Sequence, residues 1–269
     1  MKRFGLTSLL AVIAIVAVLL ALFVNPRRAN DEARRKLLSL QNNSNAVHVF
    51  SDDPDWLCRL IGIGGSVAYV SFDNLSLPAV DEGLAVLGEC TALKTISISQ
   101  CAFSLSNLSA VPILSSVEEL HVDDIRGALD AGELRCLILK CPRLRSLAMT
   151  CCPSLDDSVL EVLPSTVQAL SIAECPRVTG DFLRELRSAR LTELRLRDLP
   201  LSASALHAVC EMTTLEDVEL SPSEPVDFDW LLLANLQRAR YLFLWRRNGA
   251  PHDLDVLEEK MPNTLVMGE

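Results

Sequence analysis

A nine-residue pattern, L-x-x-L-x-L-x-x-C with other aliphatics standing in for leucine, recurs through this chain and leaves few folds open to it. It begins at Val67 (VAYVSFDNL), Leu93 (LKTISISQC), Val117 (VEELHVDDI), Leu144 (LRSLAMTCC), Val167 (VQALSIAEC), Leu191 (LTELRLRDL), Leu215 (LEDVELSPS) and, with weaker agreement, Ala239 (ARYLFLWRR). One match would mean little, but eight at intervals of 23 to 27 residues amount to an internal repeat. Within x-L-x-L-x the apolar positions alternate, as in a short strand buried on one face. Between the strands lie segments of helical spacing at residues 80–87, 156–163, 180–186 and 203–210, some opened by a capping residue such as Asp156 or Ser202. One strand and one helix cannot bury their apolar faces alone, so neighbouring units must stack. The predicted fold is an α/β solenoid of about eight repeats, with a parallel sheet on the concave side and helices on the convex side.

The repeat does not explain the amino terminus. Residues 5–24, GLTSLLAVIAIVAVLLALFV, contain no charge. As a helix rising 1.5 Å per residue they would span ~30 Å, the hydrocarbon thickness of a bilayer. The run is longer than the ~7–15 apolar residues of a secretory signal, and no A-x-A-like site follows it, so an uncleaved single-pass anchor is expected. Lys and Arg are denser after the span (Arg27, Arg28, Arg34, Arg35, Lys36) than before it (Lys2, Arg3), which favours a cytoplasmic repeat domain. Nine cysteines, an odd number, favour the same reducing compartment. The predicted organisation is an anchor at 1–28, a charged stalk at 29–45, an amino-terminal cap at 46–66, repeats at 67–247 and a carboxyl-terminal cap at 248–269. In the first cap, residues 46–50 read as a strand and 54–61 as a helix covering the open edge of the first repeat.

These motifs make the chain resemble leucine-rich-repeat proteins, specifically the cysteine-containing class with repeats of about 26 residues. The run CPRLRSLAMTCCPSLDDSVLEVL at 141–163, followed by VQALSIAECPRVTGDFLREL, carries the resemblance. The layout also resembles bacterial, planctomycete-type, single-pass membrane-anchored members, in the segment Trp56-Leu57-Cys58-Arg59-Leu60-Ile61-Gly62 before the repeats and in a closing helix and strand at 260–267. The chain departs from the class where the ninth motif position is Leu75, Ile125, Leu199 or Ser223, which cannot supply the cysteine's hydrogen bond. The resemblance implies a protein-binding scaffold. It also leaves open a substrate-recognition subunit of a larger complex, similar to the repeat part of F-box ubiquitin-ligase subunits, although an anchor stands where an F-box would.

Charge and motif content narrow the chemistry. The net charge of −10 conceals a basic amino terminus: residues 1–36 carry seven Lys or Arg against Asp31 and Glu32, so the rest holds −15. Such a surface repels a phosphate backbone, and no nucleic-acid partner is expected. No nucleophile elbow, phosphate loop, zinc-protease helix, dinucleotide fingerprint or calcium loop is present. The chain is therefore read as no enzyme, with neither cofactor nor metal. Cys101, Cys152 and Cys175 hold the ninth motif position and read as small buried hydrophobes, while Cys151 beside them is expected to be accessible. His121, Asp123 and Asp124 read as a solvated acidic patch on an exposed strand face rather than a metal triad.

What remains is recognition, and the period assigns the concave face. Its third motif positions run Tyr69, Thr95, Glu119, Ser146, Ala169, Glu193, Asp217 and Tyr241; its fifth run Ser71, Ser97, His121, Ala148, Ser171, Arg195, Glu219 and Phe243. Its seventh run Asp73, Ser99, Asp123, Thr150, Ala173, Arg197, Ser221 and Trp245. Small side chains fill the middle. Towards the carboxyl end stand Arg195 and Arg197, then Asp217 and Glu219, then Tyr241, Phe243 and Trp245, and exposed aromatics and arginines are the residues that anchor protein partners. The two arginines and three aromatics form the expected partner-binding edge. The competing expectations are that the tail from Pro251 folds over the three rings as a cap, or that the last strand is inverted and buries them.

Overall fold

The computed structural model describes residues 47–51, 67–73, 93–100, 114–124, 131–188, 190–245 and 254–268. The expected anchor, stalk, cap helix at 54–61 and helix at 80–87 lie outside them, as do Cys58, Cys90 and Cys101. Among the described residues, no helix is long and apolar enough to cross a membrane.

Among the described residues, ten strands form a single sheet in sequence order: β1 (Val47–Ser51), β2 (Val67–Asp73), β3 (Thr95–Ser99), β4 (Glu119–Asp123), β5 (Ser146–Thr150), β6 (Ala169–Ala173), β7 (Glu193–Leu199), β8 (Asp217–Pro222), β9 (Tyr241–Leu244) and β10 (Leu265–Gly268). All neighbours are parallel except β1, which runs antiparallel to β2. Hydrogen-bonded order that follows chain order, with parallel strands, defines a solenoid. Its register is the one the motif implies: Leu147 sits beside Leu170 and Leu170 beside Leu194.

In β3 to β9 the two aliphatic positions of each strand point inward. Ile96 and Ile98, Leu120 and Val122, Leu147 and Met149, Leu170 and Ile172, Leu194 and Leu196, Val218 and Leu220, and Leu242 and Leu244 are all buried. The first motif position is buried as well, from Leu93 to Ala239. The convex side is covered by α1 (Ala131–Leu139), α2 (Asp157–Leu160), α3 (Ala203–Cys210) and α4 (Leu254–Lys260), with 3-10 helices at Asp181–Ser188 and Trp230–Asn235. The helix expected at 156–163 is thus a single α turn, and the one expected at 180–186 is 3-10. The latter turn is tight because Gly180, at φ +87°, packs where a Cβ would lie 2.7 Å from that of Ala205. Both expected caps are present: Asp156 accepts the Ser158 N–H at 3.0 Å and Ser202 accepts the Ala205 N–H at 3.0 Å.

Strands β3 to β7 share one device after the seventh motif position. The next residue is left-handed although it is not glycine: Gln100, Asp124, Cys151, Glu174 and Asp198 have φ between 43° and 53°. That twist turns the chain off the sheet while leaving its N–H aimed at the next strand. Gln100, Asp124, Cys151 and Glu174 donate to the carbonyls of Asp123, Thr150, Ala173 and Arg197 at 2.9 to 3.0 Å. A final rung offsets the ~1–2 kcal/mol cost of each left-handed residue. One step further, the thiols of Cys152 and Cys175 are buried and donate to the carbonyls of Thr150 (3.3 Å) and Ala173 (3.2 Å). Where leucine replaces cysteine, at Leu199, β7 stays on the sheet longer, and its carbonyl accepts the Ser223 N–H at 2.7 Å.

Candidate functional site

The concave face is a set of ladders whose members pair across strands. On β3 and β4 the Thr95 hydroxyl donates to Glu119 (3.1 Å) and that of Ser99 to Asp123 (3.4 Å). His121 lies between the third- and seventh-position carboxylates, 3.9 Å from Glu119. On β5 and β6 the ladder narrows to Ser146, Ala148, Thr150, Ala169, Ser171 and Ala173, leaving a smooth floor.

Relief returns on β7. Arg195 donates to Asp217 at 3.0 Å and lies 3.9 Å from Glu193, and Asp217 holds the guanidinium above its ordinary pKa chiefly through that hydrogen bond. Arg197 lies 3.9 Å from Glu219. The same Glu219 carboxylate accepts the Trp245 indole N–H at 2.8 Å, so β8 ties the ring to the strand before it. Phe243 and Trp245 meet edge to face, centroids 5.0 Å apart and planes at 60°. Tyr241 stands half exposed.

These groups surround an open cleft of about 380 Å³ lined by Arg195, Asp217, Glu219, Tyr241, Phe243, Trp245 and Met267. Four of the five expected site residues therefore converge on one concavity. Arg197 does not line it. It borders an adjoining recess of about 140 Å³ with Glu174, Asp198, Ser221 and Trp245, so the indole stands between the two.

The described part of the tail, residues 254–268, does not fold over the rings. Residues 254–260 form α4, which buries Leu254 and Leu257 against the convex side, and β10 then adds a further parallel strand with Leu265 beside Tyr241 and Met267 beside Phe243. The closing segment behaves as one more repeat: the Thr264 hydroxyl donates to the Ala239 carbonyl at 2.6 Å, as Thr214 does to Leu191 and Thr166 to Leu144. Leu265 and Met267 thus extend the aromatic surface rather than bury it, while residues 251–253 of the expected lid lie outside the described residues. Sequence reasoning missed Met267, and it placed Asp217 and Glu219 on this face without counting them among the partner-binding residues. A 24-residue step from Tyr241 to Leu265 was available in the sequence to find the methionine.

The thiols depart from expectation in one respect. Cys151 is half-buried and donates to Glu174 at 3.3 Å, and burial, with that hydrogen bond and the glutamate's charge, pushes its pKa up to about 11. The exposed thiol among the described residues is Cys136 on α1, which the motif did not single out.

Comparison with solved structures identifies this architecture. An internalin from Listeria monocytogenes superposes with a TM-score of 0.50 at 17% identity, covering 68% of this chain and 50% of that one. The fold is that of a leucine-rich-repeat solenoid. The PEPR1-AtPEP1 structure aligns at a TM-score of 0.42 with 16% identity, over 89% of this chain and 42% of that one. The chain thus spans about half the length, or less, of both structures. No protein-family model and no curated protein sequence matches it.

Proposed function

We propose that this leucine-rich-repeat solenoid is a non-enzymatic interaction scaffold, tethered to a membrane by residues 5–24, that binds a protein partner on its concave face through Arg195, Tyr241, Phe243 and Trp245, with Arg197 at the rim. The observation carrying this reading is the cleft itself, in which rings, a thioether and a guanidinium from three strands and one strand exit converge although the chain has only 13 aromatics. Exposed clustered aromatics beside arginine have the composition of binding hot spots. The tether places the cleft near a bilayer, in the cytoplasm by the charge balance of the flanks.

The test is proximity labelling from the full-length protein in its own cells, compared with the Phe243→Ala, Trp245→Ala double variant. A discrete set of labelled proteins is expected to vanish in the variant while its melting temperature stays within a few degrees of the parent. Retention of every labelled partner by a folded variant removes the cleft as the site. Release of the full-length protein from membranes by carbonate would remove the tether.

A further inference from the structure

The cleft has a charge balance that selects among partners. Its two neighbouring guanidinium groups are already matched, Arg195 by Asp217 at 3.0 Å and Glu193 at 3.9 Å, and Arg197 by Glu219 at 3.9 Å. Across Glu193, Arg195, Arg197, Asp217 and Glu219 the acids outnumber the arginines three to two, and beyond the uncharged floor of β5 and β6 stand two further acids, Glu119 and Asp123 of β4. An anion arriving here would have to displace carboxylates from both arginines. A cation would meet the opposite situation, three rings with a net negative rim.

The rings themselves favour a cation. The faces of Trp, Tyr and Phe carry negative potential, and a cation within ~6 Å of a centroid gains ~0.5–2 kcal/mol, most at Trp. The Trp245 N–H is bound to a carboxylate at 2.8 Å, which orients the indole and enriches its π system. Tyr241 and Met267 supply apolar walls against which the methylene stem of a long basic side chain can lie while its charged head reaches Asp217 and Glu219. At about 380 Å³ the cleft is near the lower end of the ~300–1,000 Å³ of small-molecule sites, room for one long side chain and its neighbours.

We propose, building on the reading of this surface as protein-binding, that the cleft on β7 to β10 receives a lysine or arginine side chain that projects from an otherwise apolar stretch of the partner. The acidic domain attracts such a segment over a distance, and the rings and Met267 hold it on contact.

A randomised heptapeptide library displayed on phage and selected against the full-length protein in detergent micelles tests this directly. Enriched peptides should carry Lys or Arg flanked by apolar residues, and replacing that residue by norleucine should weaken binding at least tenfold. Trp245→Ala should abolish binding. Glu219→Gln keeps an acceptor for the indole but removes a charge, so it should weaken the basic peptides several-fold more than their norleucine versions. Trp245→Phe keeps a ring and serves as the folded control should Trp245→Ala lower the melting temperature. Peptides that need Phe243 and Trp245 but carry an acidic or uncharged anchor would overturn the basic-anchor assignment while sparing the binding site. Failure to select any peptide that depends on those rings would overturn both.

Discussion

At the scale of single residues, burial decides which side chains carry stability and which carry chemistry. Leu170 is about 1% exposed and sits between Leu147 and Leu194 in a column running through the repeats. Leu170→Ala removes its contacts with both neighbours and leaves a cavity the stacked strands cannot close, so urea unfolding should show a loss of ~2–5 kcal/mol. The thiols divide by the same rule. Cys136 is exposed, while Cys141, Cys152, Cys175 and Cys210 are buried. Because the thiolate is the reactive form, peptide mapping after mild iodoacetamide at neutral pH should find Cys136 modified first and Cys151 later, held back by its bond to Glu174. The four buried thiols should react only on unfolding. Early labelling of Cys152 or Cys175 would mean that the interior column is open.

Between repeats, a few polar side chains set the angle at which one element follows the next. Asp157, in α2, accepts the Thr179 N–H (2.9 Å), the Thr179 hydroxyl (2.8 Å) and the Gly180 N–H (2.9 Å) in the turn that opens the following 3-10 helix. Asp181 has the equivalent role in the next repeat, accepting from Ser204 (2.6 Å) and Ser202 (2.9 Å), and these bonds hold its carboxyl below the usual range. Asp157→Ala leaves two backbone donors in the turn without their acceptor. It should cost about 1–3 kcal/mol in thermal or denaturant unfolding, with faster amide exchange at Thr179 and Gly180. A change below a few tenths would mean that water replaces the carboxylate at no cost. The caps Asp156 and Ser202 were legible from sequence because an N-cap is a local pattern, four residues long. The Asp157 bridge was not, since it joins residues 22 and 23 positions apart and depends on how the repeats stack. The left-handed residues Gln100, Asp124, Cys151, Glu174 and Asp198 were hidden for a related reason: none is glycine, and the rung that stabilises the first four belongs to the next repeat.

The whole molecule is an open stack in which every repeat relies on its neighbours, and its dependence on alkali follows from what that stack buries. Burial pushes Cys141 up to about 12 and Cys210 up to about 11, and Cys151 reaches about 11. In the unfolded chain these thiols ionise near ~8.5. Above that pH the native state holds more protons than the unfolded state, so stability falls as pH rises, from about pH 9 until the folded values near 11 to 12 are passed. The melting temperature should therefore be insensitive to these groups below pH 8 and decline between pH 9 and 11, with a shallower decline in Cys141→Ala. An unchanged slope in that variant would refute the assignment. At this scale the sequence alone determined the solenoid, its register and the two faces of every strand, because a 24-residue period and a two-residue alternation are one-dimensional quantities that stacking converts directly into ladders. It also determined which five residues share the concave edge, since motif position dictates the face. Only the tertiary structure decided how those residues meet. Met267 joins the rings because the tail adds a strand instead of a lid, Glu219 serves Arg197 and Trp245 at once, and Arg197 falls outside the cleft because Trp245 stands between. Such outcomes depend on side-chain direction and on ion pairs between repeats, which a period in the sequence does not encode.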